Sequence, residues 1–368
     1  MKIEFKKEDF LDSLQVVNRA VKRGNIYQIL DCVLIDATKN KITLTAQDGK
    51  EITIKRETEG EIKEKGKAAI DSNYLIDIIR TMPEGSYIEL EVTEKRECII
   101  VCGESKKTIQ SKDETTYPNI LSVNKENKII INELKLKKVI EKTIFSYDKN
   151  LESGNIVLKG INFNINKENI KVKSMDGYII SIVNEKINNN NTYEVNIPGS
   201  ALEELNKLIK GEVNKDVIVY ISEKHVAFEF NNTLFISLII PNKYIDTDRI
   251  FNMEYSTKIE IDRSNFTDCL RRSIPVLRDN DNKPIIFDIK EEKMDINLNS
   301  LSGDSHEEID IKKSGKDLMI AFNVKNLIKI LNVIEDEKIY LYFAGSKQPV
   351  IIKDKQETYT YLLTPVKI

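Results

Sequence analysis

Two histidines, four cysteines and two Asp-Gly pairs are the residues of this chain best placed, by type, to carry chemistry. His306 lies in Ser302-Gly-Asp-Ser-His-Glu-Glu308, where serine, histidine and acid follow one another. Triad members meet through the fold from separate segments, so a contiguous cluster reads as a solvated loop. His225 opens the alternating run ending at Phe230 and reads as a half-exposed strand residue rather than a base. Cys98 and Cys102 share one face of a strand pattern, about 13 Å apart, too far for a disulfide or a common metal. With Cys32 and Cys269 they read as small buried hydrophobes. No phosphate-cradling glycine loop and no metal-ligand spacing occurs, so no catalytic residue, metal or cofactor is expected. Asp48-Gly49 and Asp176-Gly177, 128 residues apart, read as turns between strands. What remains is the chemistry of charge.

Net charge is −3 over 368 residues, but it is unevenly spread. The six stretches with helical periodicity sum to +8, which leaves −11 on strands and loops. The stretch 136–147 shows this most clearly. On a helix, Lys135, Lys138, Lys142 and Lys149 fall within an arc of about 60°, opposite an apolar face of Leu136, Val139, Ile140 and Ile144. Basic helices on an acidic chain fit a phosphate-facing surface, although a charge stripe can equally be a solvated face. The DNA-facing candidates are Lys22, Arg23, Lys135, Lys138, Lys142, Lys207, Lys210, Arg271 and Arg272. No recognition-helix motif or aromatic ladder accompanies them, so sequence readout is not expected.

The elements that must position these residues come three times. Helical stretches at 71–79, 198–205 and 323–331 carry matching leucines, Leu75, Leu202 and Leu327, spaced by 127 and 125 residues. An earlier helix opens each unit, at 10–21, 136–147 and 266–277, and alternating strands follow every helix. Asp71 or Ser72, a Ser200–Glu203 capping box, Asn323, and Ser264 or Asn265 are the expected helix starts. A period near 125 is domain-sized. The reading is an α+β chain of three tandem copies, two helices packed on antiparallel sheets in each, with bounds 1–124, 125–253 and 254–368. Hydrophobic content of 40% and charge of 31% describe a globular chain. No apolar run reaches membrane length and no secretory core opens the sequence, so a cytoplasmic location is expected.

Over its whole length the chain resembles the bacterial DNA polymerase III beta subunit, the beta sliding clamp family. The threefold repeat carries this, with Asp176-Gly177 after Val172-Lys-Ser-Met, the segment Thr116-Tyr-Pro-Asn-Ile120, and the ending Tyr361-Leu-Leu-Thr-Pro-Val-Lys-Ile368. The resemblance implies a non-catalytic processivity factor: two chains closing head to tail into a ring dimer, helices lining a channel that encircles duplex DNA without reading its sequence. It also implies a groove between the second and third domains for short apolar peptides of the polymerase catalytic subunit, the clamp loader and repair proteins. By position that groove comprises Leu158, Met175, Gly177, Tyr178, Ile179, Ile180, Ile245, Arg249, Ile250, Leu362, Leu363, Thr364, Pro365, Val366, Lys367 and Ile368. Nucleoid association during replication follows from the same resemblance.

The chain departs from the family at several points. Ile179 stands where arginine is usual, Ile245 and Gln28 where proline is, and Gly24 where arginine is. The first two bear on peptide preference and the others on a DNA-contacting loop. Two rival readings share the composition: a repeat-built interaction scaffold that never meets DNA, and a three-domain enzyme with an unrecognised cleft.

Overall fold

A computed structural model describes every residue except Arg23, Asn25, Ile26, Asn190, Asn252, 278–282 and Ile368, and the side chains of Asp248 and Arg249. The helices are α1 (Lys7–Val17), α2 (Ser72–Arg80), α3 (Glu133–Glu141), α4 (Gly199–Leu208), the single turn α5 (Asp248–Phe251), α6 (Arg263–Ser273) and α7 (Val324–Asn332). Several strands run straight into helices, and an acid or amide at the junction caps the first turn. Asp71 accepts the Tyr74 N–H at 2.9 Å, Asp262 that of Asn265 at 2.8 Å, and Asn323 that of Asn326 at 3.1 Å. Ser264 and Asn265 therefore lie inside α6. Ser200 also falls inside its helix, and its hydroxyl bonds Glu51 at 2.6 Å.

By contact density the chain divides into two compact units, 1–136 with 200–239 and 137–199 with 240–368. The cut passes through the middle repeat. Sheet pairing explains this, because strands of neighbouring repeats join. In the first unit, an eight-stranded sheet runs in the order Lys128–Asn132, Asp216–Ile221, His225–Phe230, Thr233–Leu238, Ile52–Thr58, Ile42–Gln47, Cys32–Asp36, Lys67–Asp71. A five-stranded sheet, Glu61–Glu64, Lys2–Lys6, Tyr87–Val92, Glu97–Cys102, Ser105–Gln110, completes that unit.

In the second unit, a nine-stranded sheet runs Tyr193–Pro198, Gly160–Ile165, Asn169–Met175, Ile179–Lys186, Tyr359–Leu363, Val350–Lys353, Lys338–Phe343, Thr257–Asp262, Lys312–Gly315. Its companion is a four-stranded sheet, Gly303–Asp310, Lys293–Ser300, Ile285–Lys290, Leu318–Phe322. Every named pairing is antiparallel, and strands such as Glu97–Cys102 alternate between buried and half-exposed residues, one face to the core. All four cysteines are free and buried in these cores. Among the described residues no helix is long and apolar enough to cross a membrane.

The pairings obey one rule. The strand after the Asp48-Gly49 turn, Ile52–Thr58, pairs with the last strand of the next repeat, with Ile54 opposite Phe235. The strand after Asp176-Gly177 does the same, with Ile180 opposite Leu362. Two strands are left at sheet edges by that rule: Ser105–Gln110, last in the first repeat, and Gly303–Asp310, the equivalent post-turn strand of the third. His306 lies on the second of these. It is an exposed strand residue, not a loop residue, and its Nδ1 sits 2.7 Å from Asn297 Oδ1.

Candidate functional site

The groove assigned from sequence is built around the Asp176-Gly177 turn of the second unit. Asp176 Oδ1 accepts the N–H groups of Tyr178 (2.9 Å) and Ile179 (2.8 Å), and Gly177 takes φ +94, a conformation open to glycine. The turn sets the register. Met175 faces Ile180, Ile180 faces Leu362, and Leu362 faces Ile351 across successive strands. Leu158 joins this row from the short 3-10 helix Ile156–Lys159, whose first turn is capped by Asn155 on the Val157 N–H at 3.1 Å. With Val157, Ile182 and Tyr244 these side chains form one buried cluster, against which Phe251, Tyr255 and Tyr342 pack.

Strand alternation separates two of the assigned residues from it. Ile179 and Leu363 face each other one position along, on the opposite side of the sheet, and both are wholly buried. They belong to the core behind the groove, not to its lining, so the family departure at Ile179 alters that core rather than the edge. Exposed apolar residues flank members of the cluster in sequence, Tyr178 (56% exposed), Ile245 (36%) and Ile250 (37%), and Val366 in the tail is exposed as well (37%). The tail is held beside the cluster. Thr364 donates its N–H and its hydroxyl to the Tyr178 carbonyl, and the Val366 N–H reaches the Ala321 carbonyl at 2.8 Å. Pro365 is half-buried and Lys367 exposed along the same stretch. The Arg249 side chain and Ile368 lie outside the described residues.

Val157, Ile182, Tyr244 and Ile351 were not among the residues assigned from sequence. Ile182 was within reach of it, two positions from Ile180 on the same strand face. Ile351 was not, because only the pairing register brings it beside Leu362.

The cations are arranged differently from the expected stripe. α3 stops at Glu141; the Lys142 N–H closes on Lys138 and the Thr143 N–H on Ile140, tightening the last turn. Ser146, in the next short turn, is tied to Ser174 and Ser181 on the sheet below. Lys149 thus leaves the helix altogether. Net charges on the six helices of nine residues or more are −2, 0, +1, −1, +2 and +2 along the chain, far short of the expected excess. Most of the surplus sits in final turns and just beyond them, where a cation also meets the negative end of the helix dipole. Lys207, Arg271 and Arg272 lie in last turns, Lys142 and Lys210 directly after their helices.

Several of these cations have carboxylate partners. Lys22 bonds the buried Asp48 at 2.7 Å, Lys207 bonds Glu204 at 2.6 Å and Lys138 lies 3.4 Å from Glu335. Arg272 turns onto the four-stranded sheet, where Glu307 holds it at 2.5 Å. Arg271 reaches Asn332 at 2.9 Å, and the Lys142 ammonium sits 5.4 Å from the Tyr359 ring. Lys210 is exposed and Lys135 half-buried; Arg23 lies outside the described residues.

The two Asp-Gly turns differ electrostatically. Burial works to raise the Asp48 carboxyl. Donation from the Ile52, Lys50 and Glu51 N–H groups and from Lys22 outweighs it, and the net shift is downward. Burial also raises Asp176; the Ile179 and Tyr178 N–H groups, the Lys329 charge and the residue's own N–H pull the other way, and there burial wins. No group of three or more His, Cys, Asp or Glu is placed to hold a metal among the described residues.

Fold and side-chain arrangement together define a protein of tandem α+β modules with a buried apolar cluster beside the Asp176-Gly177 turn and cations at its helix ends. Models of the N-terminal, central and C-terminal domains of the DNA polymerase III beta subunit match residues 1–121, 130–246 and 248–367. The chain belongs to the DNA polymerase III beta subunit family. It is 27% identical to the beta sliding clamp of Staphylococcus aureus over 378 aligned residues, covering 100% of this chain and 99% of that one. A solved structure from Eubacterium rectale, assigned to the same subunit, superposes with a TM-score of 0.96 at 35% identity, covering 100% of this chain and 99% of that one. The Bacillus subtilis DNA polymerase sliding clamp gives 0.95 at 25% identity, with the same coverage. The function is that of a sliding clamp, a non-catalytic processivity factor of DNA replication.

Proposed function

We propose that two copies of this chain close head to tail around duplex DNA and hold replication proteins to it through the Leu158–Leu362 groove. The single observation that carries ring closure is the pairing rule. Each post-turn strand pairs with the last strand of the following repeat, and within one chain the rule leaves Gly303–Asp310 and Ser105–Gln110 at sheet edges. Pairing these between copies completes the rule and covers two edges that would otherwise invite aggregation. Their charges agree. Ser105–Gln110 carries Lys106 and Lys107, while Gly303–Asp310 carries Asp304, Glu307, Glu308 and Asp310. A heterologous contact of this kind closes into a ring when its rotation permits.

Sequence-blind DNA binding is assigned to Lys22, Arg23, Lys135, Lys138, Lys142, Lys207, Lys210 and Arg271, cations able to meet phosphates without reaching base edges. Arg272, engaged with Glu307, is the weakest of the assigned set. Enclosure does the holding, so affinity for phosphates can stay low. In the groove, Leu158, Met175, Ile180 and Leu362 form the floor for apolar anchors of polymerase, loader and repair-protein peptides. Tyr178, Ile245, Ile250, Val366 and the backbone of the tail form the rim. The repeats are taken as 1–124, 125–253 and 254–368, working in the cytoplasm and at the nucleoid during replication.

The experiment is topological. Loaded onto nicked circular DNA by a clamp loader, the protein should co-elute with the circle and fall off when a restriction enzyme linearises it. Retention on linear DNA with free ends would show ordinary binding and overturn enclosure.

A further inference from the structure

The row of paired side chains that floors the groove does not stop at Leu362. Ile351 stands opposite Leu362, Tyr342 opposite Ile351, and Lys258 opposite Tyr342, all on one face of the nine-stranded sheet. Beside it runs a second row, in which Thr360 faces Lys353, Lys353 faces Tyr340, and Glu260 lies between Tyr340 and Lys312. The face therefore changes character across the strands, from aliphatic at Ile180 to aromatic and cationic toward the Lys312–Gly315 edge.

The aromatic part is already dressed with ammonium groups. Lys258 and Lys353 lie 5.6 and 5.2 Å from the Tyr342 ring, and Lys355 lies 5.1 Å from that of Tyr340. Tyr255 packs on Tyr342 with ring centroids 5.3 Å apart. Two hollows open here, one of about 470 Å³ bounded by Phe251, Tyr255 and Lys353, the other of about 280 Å³ bounded by Lys258, Tyr340 and Tyr342. Around the two hollows Lys171, Lys258, Lys312, Lys313 and Lys353 stand with Glu260 and Glu357, while Lys338 and Lys355 open on a neighbouring hollow that Glu335, Asp336, Glu337 and Asp354 also line. Lys353 is held by Glu357 at 2.5 Å, Lys312 and Lys338 share Glu260 at 3.8 and 3.2 Å, and Lys258 makes no ion pair among the described residues.

We propose that this tyrosine–lysine platform receives an acidic segment of a partner peptide, continuous with the apolar anchors seated over Ile180 and Leu362. The inference rests on the groove reading above. Continuity of the side-chain row argues for a single extended occupant, and the surplus of ammonium groups argues for carboxylates on it. A single-stranded nucleic acid would also bring negative charge, but it binds such surfaces by stacking bases on open ring faces. Here Tyr342 is engaged by Tyr255 and two lysines, and Tyr340 by Lys355, which favours a peptide.

The test is fluorescence anisotropy with the full chain and labelled peptides. One peptide carries two apolar anchors alone; others add four Glu or four Gln residues at either end. One of the Glu peptides should bind roughly five- to tenfold more tightly than its Gln counterpart at low salt. That gain should vanish at high salt and in a Lys258→Glu/Lys355→Glu variant, which should bind the anchor-only peptide like the parent. Glu peptides binding no better than Gln peptides, while the anchor-only peptide binds, would overturn the platform and leave the groove standing. Failure of every peptide to bind would remove the groove reading and this inference with it. An oligothymidylate whose binding is lost in the variant, with no gain for Glu peptides, would reassign the surface to nucleic acid and overturn the proposal.

Discussion

Asp48 and Asp176 occupy equivalent turns, yet their environments push their carboxyl groups in opposite directions. Asp48 is held below the usual aspartate range, so its contribution to stability is present above the unfolded pKa and is lost as pH falls through the folded one. Asp176 is held above that range. Its contribution is complete below the unfolded pKa and is lost as pH rises through the folded value, so at neutral pH the buried carboxylate is a cost. Asp48→Asn, which breaks the pair with half-exposed Lys22, should destabilise by about 1–2 kcal/mol at pH 7, and the loss should shrink below about pH 4. Asp176→Asn should be neutral or stabilising at pH 7, since an amide oxygen can still accept both backbone N–H groups. Urea midpoints of both variants at pH 7 and at about pH 3 check this; equal losses at the two turns would refute the electrostatic distinction. The sequence showed two identical Asp-Gly turns and could not separate them, because the difference lies in a lysine that bonds the carboxylate directly, as Lys22 does at Asp48, where Lys329 acts on Asp176 only through its charge.

At the scale of elements, the strands and helices were legible from alternation and periodicity, but their ends were not. The apolar pattern of 136–147 continues past Glu141, whereas the chain tightens after Glu141 and Ser146 bonds to the sheet. Tertiary hydrogen bonds overrode a local period there, and with the shorter helix went the expected lysine stripe. Edge strands carry the prediction at this scale. Lys106→Glu/Lys107→Glu places like charge against the acidic Gly303–Asp310 strand of a second copy and should weaken dimerisation by roughly tenfold or more. Sedimentation should then show a larger share at 42.4 kDa, whereas the parent protein should run at twice that mass. An unchanged dimer would place the interface on other strands.

At the scale of the whole molecule, the function depends on holding DNA without gripping it. Reversing Lys135, Lys138 and Lys142 together to Glu should shorten retention on circular DNA by roughly tenfold at low salt and flatten its salt dependence. Thermal stability should change little, because the three lysines are at most partly buried. Retention equal to the parent's would place the DNA-facing surface elsewhere. The chain's own order of residues determined the threefold repeat, the α+β class and the position of each Asp-Gly turn, because spacing and alternation are local and survive divergence. The placing of the tail and the Asp176-Gly177 strand in one groove came from the family resemblance, not from the residues alone. Only the tertiary structure decided which of those residues share a sheet face: pairing register put Ile180 and Leu362 on one side and Ile179 and Leu363 on the other. A one-residue step in a strand reverses the side chain's direction, and that choice is fixed by the strand across the sheet, far away in sequence.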